Sequence, residues 1–393
     1  MKNLRIYFSL VLLNNFWFIT SNWLNFWLKY MSLKEVGIID GIAFLIGIMF
    51  EFPSGIISDR WGRKNSLILS QLFQFAGSFI ITFASNLYEI GVGFIIFQIG
   101  VSMFSGSIES FGYESSRDSG YNYKNTLSIS SFFNNFGYLF SLVVGGYLYL
   151  NNNNIPNYLF TMNFFLGLLI CYFIMEKNSS ENSINSHTIQ ENNIKTDFNS
   201  FVWALRKVDI KLILYLTFLS SVVFAFDYGF VKLLLLEAFS DLGSNYLYIF
   251  GFTLFSLILS FFLLRIKTPF VVQIRVIFIL LVLFTFFVSK SYEYTWVIFA
   301  FLSFITVYIS QISLSYFNEL VSDDNRAGFL SIFALFYKLP YVFIALILGD
   351  MMQKISVNQL FYPSFLGIVF MYLVGKLGYN IAVNKWGRSS VAE

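Results

Sequence analysis

An all-α membrane protein, with twelve transmembrane helices in two pseudo-symmetric six-helix bundles, is the fold that three observations predict. Apolar stretches of about 20 residues, the length that crosses a bilayer, recur from one end of the 393-residue chain to the other. The composition is 57% hydrophobic and only 12% charged, outside the balance of a soluble globular domain. A polar break then separates six such stretches from six more, and residues in the two halves match in a common register.

The first six spans are expected at residues 4–30, 36–58, 67–85, 90–113, 127–150 and 158–176. The second six are expected at 210–236, 246–264, 270–288, 294–320, 329–351 and 360–376. Lys2 and Arg5 precede an apolar run too long for a signal peptide, so that run is read as the first spanning helix. The expected domains are therefore an N-terminal bundle at 1–176, a linker at 177–208 and a C-terminal bundle at 209–393. The linker opens rich in Asn, Ser and Glu, too polar to bury. It closes on Phe198, Phe201, Val202, Leu205 and Val208 at helical spacing around Arg206 and Lys207. Those residues read as an amphipathic helix on the membrane surface, or as a plain lead-in to the seventh span. Most of the 25 Lys and Arg residues fall in segments that are cytoplasmic if the N-terminus is inside, so both termini and the linker are expected there.

Several function classes are disfavoured. Cys171 is the only cysteine and lies in an apolar stretch, while His187 is the only histidine and lies in the linker. Intramembrane histidine chemistry and cysteine metal sites have no residues to use, and no Gly-rich phosphate loop is present. The expectation is no enzyme, no metal, no cofactor and no nucleic-acid partner, in a protein whose surroundings are the lipid bilayer and whose state is a monomer.

The repeat joins Leu127, Ser128 and Ile129 to Leu330, Ser331 and Ile332, and Tyr138, Phe140 and Gly146 to Tyr341, Phe343 and Gly349. A second match pairs Arg60 with Arg265, which makes Ser260 to Lys267 a worn copy of the loop after the second span. Parallel halves of this kind place a binding site near the bilayer midplane, where they meet.

That loop reads Gly55, Ile56, Ile57, Ser58, Asp59, Arg60, Trp61, Gly62, Arg63, Lys64. It resembles the signature loop of the major facilitator superfamily (MFS) at every motif position: a Gly, three residues, Asp-Arg, one residue, a Gly and two basic residues. The flanking Glu51, Phe52, Pro53, Ser54 and the later Ser105 to Glu109 are similar to a bacterial, mostly drug-efflux-like branch. Physically, Gly55 and Gly62 permit close helix approach and a tight turn. Asp59 is placed to accept hydrogen bonds at a helix N-terminus, with the helix beginning near Phe329 as its natural partner. The resemblance implies that this contact clips the two halves together, and that Arg63 pairs with an acid at the inner end of the fourth span. Glu114 holds that position, and Glu109 one turn deeper is the alternative. Arg60, Arg63 and Lys64 also serve as positive-inside anchors. The fifth span carries Ser128, Gly137, Ser141, Leu142, Gly145 and Gly146, which resembles the superfamily's antiporter motif without its central Gly-Pro pair. Export and simple close packing are both consistent with that pattern.

In the fold so implied, spans one, four, seven and ten line the cavity. Asn15, Asn22 and Asn25 share a face of span one, Gln98, Ser102, Ser105 and Glu109 a face of span four, and Ser303, Thr306, Ser310 and Ser313 a face of span ten. Ionisable residues in lipid are costly and face cavities or partners. Asp227 is expected to be a protonatable or cation-binding group, and Lys338 either balances it or receives an anionic part of the cargo. A structural ion pair is the competing reading, and Lys232 reads as snorkelling to the interface.

The function these residues imply is secondary active transport by alternating access in a bacterial cytoplasmic membrane. The favoured form is proton-coupled efflux of a small amphipathic compound or peptide, with the proton carried on Asp227 or Glu109. Two other readings stand beside it: a nutrient importer or uniporter, and a non-transporting binding or immunity protein on the same fold.

Overall fold

The computed structural model describes residues 2–175 and, further along, helical positions within 247–258 and 338–351. Within the first range the side chains at 52, 53, 55–57, 59, 60 and 124 lie outside the description. The chain divides into two compact units, one holding Met1–Lys177, Leu233–Gly251 and Ala345–Gln353. In the other, the described positions 253–255, 258, 338–339 and 341–343 are helical. The linker, the span-ten stripe and the remaining second-half spans lie outside the described residues.

All described regular structure is helical: α1 Lys2–Asn14, α2 Trp23–Trp27, α3 Leu33–Trp61, α4 Arg63–Thr82, α5 Leu87–Asp118, α6 Tyr123–Asn151 and α7 Ile155–Tyr172. Among the described residues, α5, the part of α6 from Asn125 and α7 meet the length and apolarity of a membrane crossing. The starts are set by local chemistry. Ser32 and Glu35 form a reciprocal capping box on α3. Asn86 caps α5 by accepting from the backbone N–H groups of Tyr88 and Glu89, and Pro156 opens α7 where its missing N–H costs nothing. Gly62 joins α3 directly to α4 at φ 82° and ψ 156°, a backbone region that is essentially glycine's alone.

One expectation needs correction. The first span is not a continuous helix over residues 4–30: α1 ends at Asn14, and the chain runs as irregular turns through Asn22 before the short α2. Neither Gly nor Pro occurs in that stretch, so the cause lies in side chains that compete for the backbone. The Asn15 amide donates to the Val11 carbonyl, the Trp17 indole to that of Asn14, and the Thr20 hydroxyl to that of Trp17. A 13-residue α1 rises only about 20 Å, so the break falls inside the hydrocarbon layer of an ~30 Å bilayer core.

Packing relies on small residues and buried polar contacts, as expected where lipid removes any hydrophobic advantage of one helix for another. α4 and α5 cross at backbone distance: a Cβ on Gly77 would lie 2.5 Å from the Phe97 nitrogen, and one on Gly100 would lie 2.7 Å from that of Gln74. Ser66 and Ser107 bond across this crossing at 2.6 Å, and Thr82 reaches Thr161 of α7 at 2.8 Å. An aromatic knot of Trp17, Phe97, Phe160 and Phe164 holds the broken span against α5 and α7.

Candidate functional site: the signature loop, the broken span and the two ends of α3

The α3–α4 turn places Arg63 at the first position of α4, where its side chain reaches back across α5. Its Nε lies 3.2 Å from Glu114 Oε1, and its Nη1 donates to Ser58 Oγ at 2.9 Å. Glu114 is therefore an acid that meets Arg63. Glu109 is exposed, and its carboxylate acts on Tyr123 at the start of α6. Burial first, and that charge second, push the Tyr123 phenol up to about 12. Lys64 is half-buried beside the turn. Gly55 lies in the helical backbone of α3, whereas the side chains of Asp59 and Arg60, and the helix start near Phe329, lie outside the described residues.

The Arg63–Glu114 pair is partly open to solvent, with 26% and 45% of the side chains exposed. Pairs of that kind contribute only ~0–1 kcal/mol to stability. Arg63→Ala is accordingly expected to leave thermal unfolding within a few degrees of the native chain while slowing transport in proteoliposomes by about tenfold or more. A purely anchoring role for Arg63 would leave the rate unchanged.

At the other end of α3, Lys34 Nζ lies 3.1 Å from Asp350 Oδ1. Beside the pair the two backbones touch. A Cβ on Gly37 would sit 2.5 Å from the Ala345 carbonyl oxygen, and one on Gly349 would sit 3.0 Å from that of Leu33. α3, 29 residues and about 44 Å long, thus carries a contact at each end and is long enough for those ends to reach opposite membrane surfaces. Sequence reading missed this crossing, although Gly37, Gly349 and opposite charges three residues before one and one after the other were visible.

The predicted polar stripes are partly rearranged. Asn15 does not share a helical face with Asn22 and Asn25, because the break separates it from α2, which Asn22 caps and Asn25 belongs to. Asn15 donates to Asn134 of α6, and Ser141 donates to the Asn15 carbonyl, so Asn15 joins helices. Asn22 is buried, with neither amide atom hydrogen-bonded. On α5, Ser102 is buried and donates to the Gly47 carbonyl at 2.7 Å, Gln98 is buried, and Ser105 and Glu109 are exposed. Lys338 is helical and half-buried, while Asp227, Lys232 and Ser310 lie outside the described residues. One acid was missed. Asp40 of α3 is only 2% exposed, well inside an apolar helix where a carboxylate is costly. Its signal was a lone Asp three residues after Gly37.

The small residues of α6 form a bed for the broken span. A Cβ on Gly137 would sit 3.0 Å from the Leu12 carbonyl oxygen, and one on Gly145 would sit 2.0 Å from that of Phe18. The pattern read as an antiporter-like motif is, in this structure, where α6 admits the irregular backbone.

An interrupted first span, a two-ended α3 and a Gly-anchored basic turn sit in a helical bundle with three membrane-length apolar helices among the described residues. The family model described as Major Facilitator Superfamily matches residues 6–345, and the chain belongs to that superfamily. A curated relative, the "Uncharacterized MFS-type transporter YxaM" of Bacillus subtilis (strain 168), is 25% identical over 167 residues. That match spans 40% of this chain and 40% of the relative. Among solved structures the D-xylose-proton symporter superposes with a TM-score of 0.70 at 15% identity, covering 98% of this chain and 96% of that one. The POT family transporter PepTSo gives 0.71 at 13% identity, covering 97% and 98%. The nucleoside transporter NupG gives 0.62 at 13% identity, covering 96% and 98%. At these identities the likeness shows the fold, and the fold is that of an MFS membrane transporter.

Proposed function

We propose that this transporter alternates between two facing states and couples proton entry to the efflux of a small amphipathic compound or peptide across a bacterial cytoplasmic membrane. The observation that carries the reading is α3, with the Gly37–Gly349 crossing and Lys34–Asp350 pair at one end and the Arg63–Glu114 turn at the other. With the N-terminus cytoplasmic, as the Lys and Arg distribution favours, the first contact closes the outer face. Both ion pairs are half-exposed and therefore weak, which suits contacts that must open and close. Asp59 at the inner end is the expected clip in the opposite state, with Gly55, Arg60, Gly62 and Lys64 forming the turn that presents it.

For the coupling proton, a carboxylate whose ionisation is costly in one state and tolerated in the other biases the equilibrium between them. Asp227 and Glu109 are the acids so expected from sequence, with Lys338 as a counter-charge and Ser310 and Asn22 as cavity groups. Buried Asp40 joins them as a third acid. The exported class rests on the drug-efflux-like sequence around Glu51 and Glu109, whereas the solved neighbours named for D-xylose, nucleosides and peptides keep the importer reading in view.

Proteoliposomes loaded with a pH-reporting dye separate the readings. With an imposed proton gradient and added amphipathic amines or dipeptides, exchange predicts cargo and protons moving in opposite directions. Co-movement would make the protein a symporter, and cargo-independent proton traces would mark a binder that does not transport. Asp40→Asn and Asp227→Asn, tested singly, are expected to flatten the pH dependence where that carboxylate carries the proton.

A further inference from the structure

Residues 345–351 meet α3 at its first turn. A Cβ on Gly349 would lie 3.0 Å from the Leu33 carbonyl oxygen and 3.3 Å from that of Lys34, and Asp350 takes the Lys34 ammonium. Two of these three partners on α3 are main-chain atoms. They are in place only while residues 33–36 are helical, and the end turn of a helix is the part that frays.

Local bonds hold that turn. Ser32 Oγ accepts from the Glu35 N–H at 3.4 Å, while Glu35 Oε2 accepts from the Ser32 N–H at 2.7 Å and from its hydroxyl at 2.8 Å. The Val36 N–H makes the first helical bond to the Ser32 carbonyl at 2.9 Å. Met31 and Val36, the positions that flank a capping box on its apolar side, are buried at 6% and 0% exposure. Upstream, the Trp27 carbonyl accepts from the N–H groups of Tyr30 and Met31, so the link from α2 is held as well. Bonds from Ser32, the backbone one first, keep the Glu35 carboxyl below the usual carboxylate range, so the box is closed at neutral pH.

The box matters to one arrangement of the contact. With Ser32 and Glu35 in place the turn is ready-formed, and residues 345–351 meet it without ordering it. Without them the turn is free to fray whenever the contact is open and has to be re-formed each time it closes. The loss then falls on the closed arrangement alone. We propose that Ser32 and Glu35 are positioning residues for the contact at the Lys34 end of α3, preorganising the Leu33 and Lys34 carbonyls that Gly349 meets. This rests on the reading that the contact opens and closes, and it adds the residues that set how firmly it closes.

Spin labels at Ile42→Cys and Met351→Cys, in the full-length Cys171→Ala protein in vesicles of phosphatidylethanolamine and phosphatidylglycerol, test this. They report the separation of the two helices from a point beyond the first turn of α3. Ser32→Ala and Glu35→Ala are each expected to lower the ratio of short to long distances about fivefold, equivalent to the ~1 kcal/mol of a lost helix cap. Ser32→Thr and Glu35→Gln keep the box chemistry and should stay within about twofold of the native ratio. Asn86→Ala is the comparison, since it removes a cap of two bonds, at 3.0 and 3.1 Å, from α5 instead. It should lower thermal stability as the other alanine variants do and leave the ratio unchanged. Alanine variants at the native ratio, or Asn86→Ala shifting it as far as they do, would overturn the proposal. Glu35→Gln behaving like Glu35→Ala would trace the effect to charge and overturn it too. A native chain fixed at one short distance would instead remove the opening of the contact. The box would then be read in that distance, broadened in the Ser32 and Glu35 alanine variants and not in Asn86→Ala, and no broadening would remove the box as well.

Discussion

Gly145→Ala is expected to unfold at a markedly lower temperature than the native chain. Its added methyl would lie 2.0 Å from the Phe18 carbonyl oxygen and 2.8 Å from the carbonyl carbon, all main-chain atoms that cannot rotate away. Relief requires α6 to lift off the first span, which would also loosen the Ser141 bond to Asn15 and the contact at Gly137. Overpacking of this sort costs ~1–3 kcal/mol and more where backbone must move, so the upper end is expected here. Gly106→Ala is the control, because its Cβ would meet only Ser54 Oγ at 3.7 Å, an ordinary contact. It should be neutral or slightly stabilising, by up to ~1 kcal/mol, from the helix preference of alanine. Thermal unfolding of both variants in the same detergent checks the pair, and equal temperatures would contradict the close packing of α6 on the break.

Gly37→Val acts differently, because its clash belongs to one state of the cycle. The new side chain would start 2.5 Å from the Ala345 carbonyl oxygen and 3.0 Å from the Gly349 Cα, which prevents α3 from lying against residues 345–351. If that contact opens during transport, the protein escapes the strain by populating the open arrangement, and global stability changes little. A penalty of about 2 kcal/mol on the closed arrangement shifts the ratio of states about thirtyfold, enough to stall transport. Lys34→Gln at the same end removes only a half-exposed pair and is expected to shift the ratio a few-fold at most. Disulfide cross-linking of paired cysteines across the contact, in a Cys171→Ala background, reads the ratio directly.

Much of this was legible in the sequence because it depends on short-range rules. The Arg63–Glu114 pair was legible through the resemblance of Gly55–Lys64 to the superfamily's signature loop, which implies an acid at the inner end of the fourth span. The glycine-only backbone angle at Gly62 is what sets Arg63 at the start of α4 to meet it. The helices α3 to α7 lie within a few residues of their expected spans because apolar length sets them. The break at Asn15–Asn22 was not legible, because Phe16 to Ile19 keeps the hydropathy high while hydropathy says nothing about where the backbone hydrogen bonds go. Its signals were Asn14, Asn15, Thr20, Ser21 and Asn22, of which Asn15 and Asn22, together with Asn25, read as a cavity stripe when a continuous helix was assumed. Asp40 was passed over for the same reason, as one carboxylate in a long apolar run. The Gly37–Gly349 crossing joins residues over three hundred positions apart, and no local pattern announces a contact of that range.

The central claim is that the contact at the Lys34 end of α3 opens and closes as the protein works. Spin labels at Leu33→Cys and Met351→Cys, in the Cys171→Ala background and reconstituted in lipid, report that distance by double electron–electron resonance. Two distance populations are predicted, with their ratio moving between acidic and neutral pH and the short one lost in Gly37→Val. A single short distance, the same at both pH values and in Gly37→Val, would contradict the account.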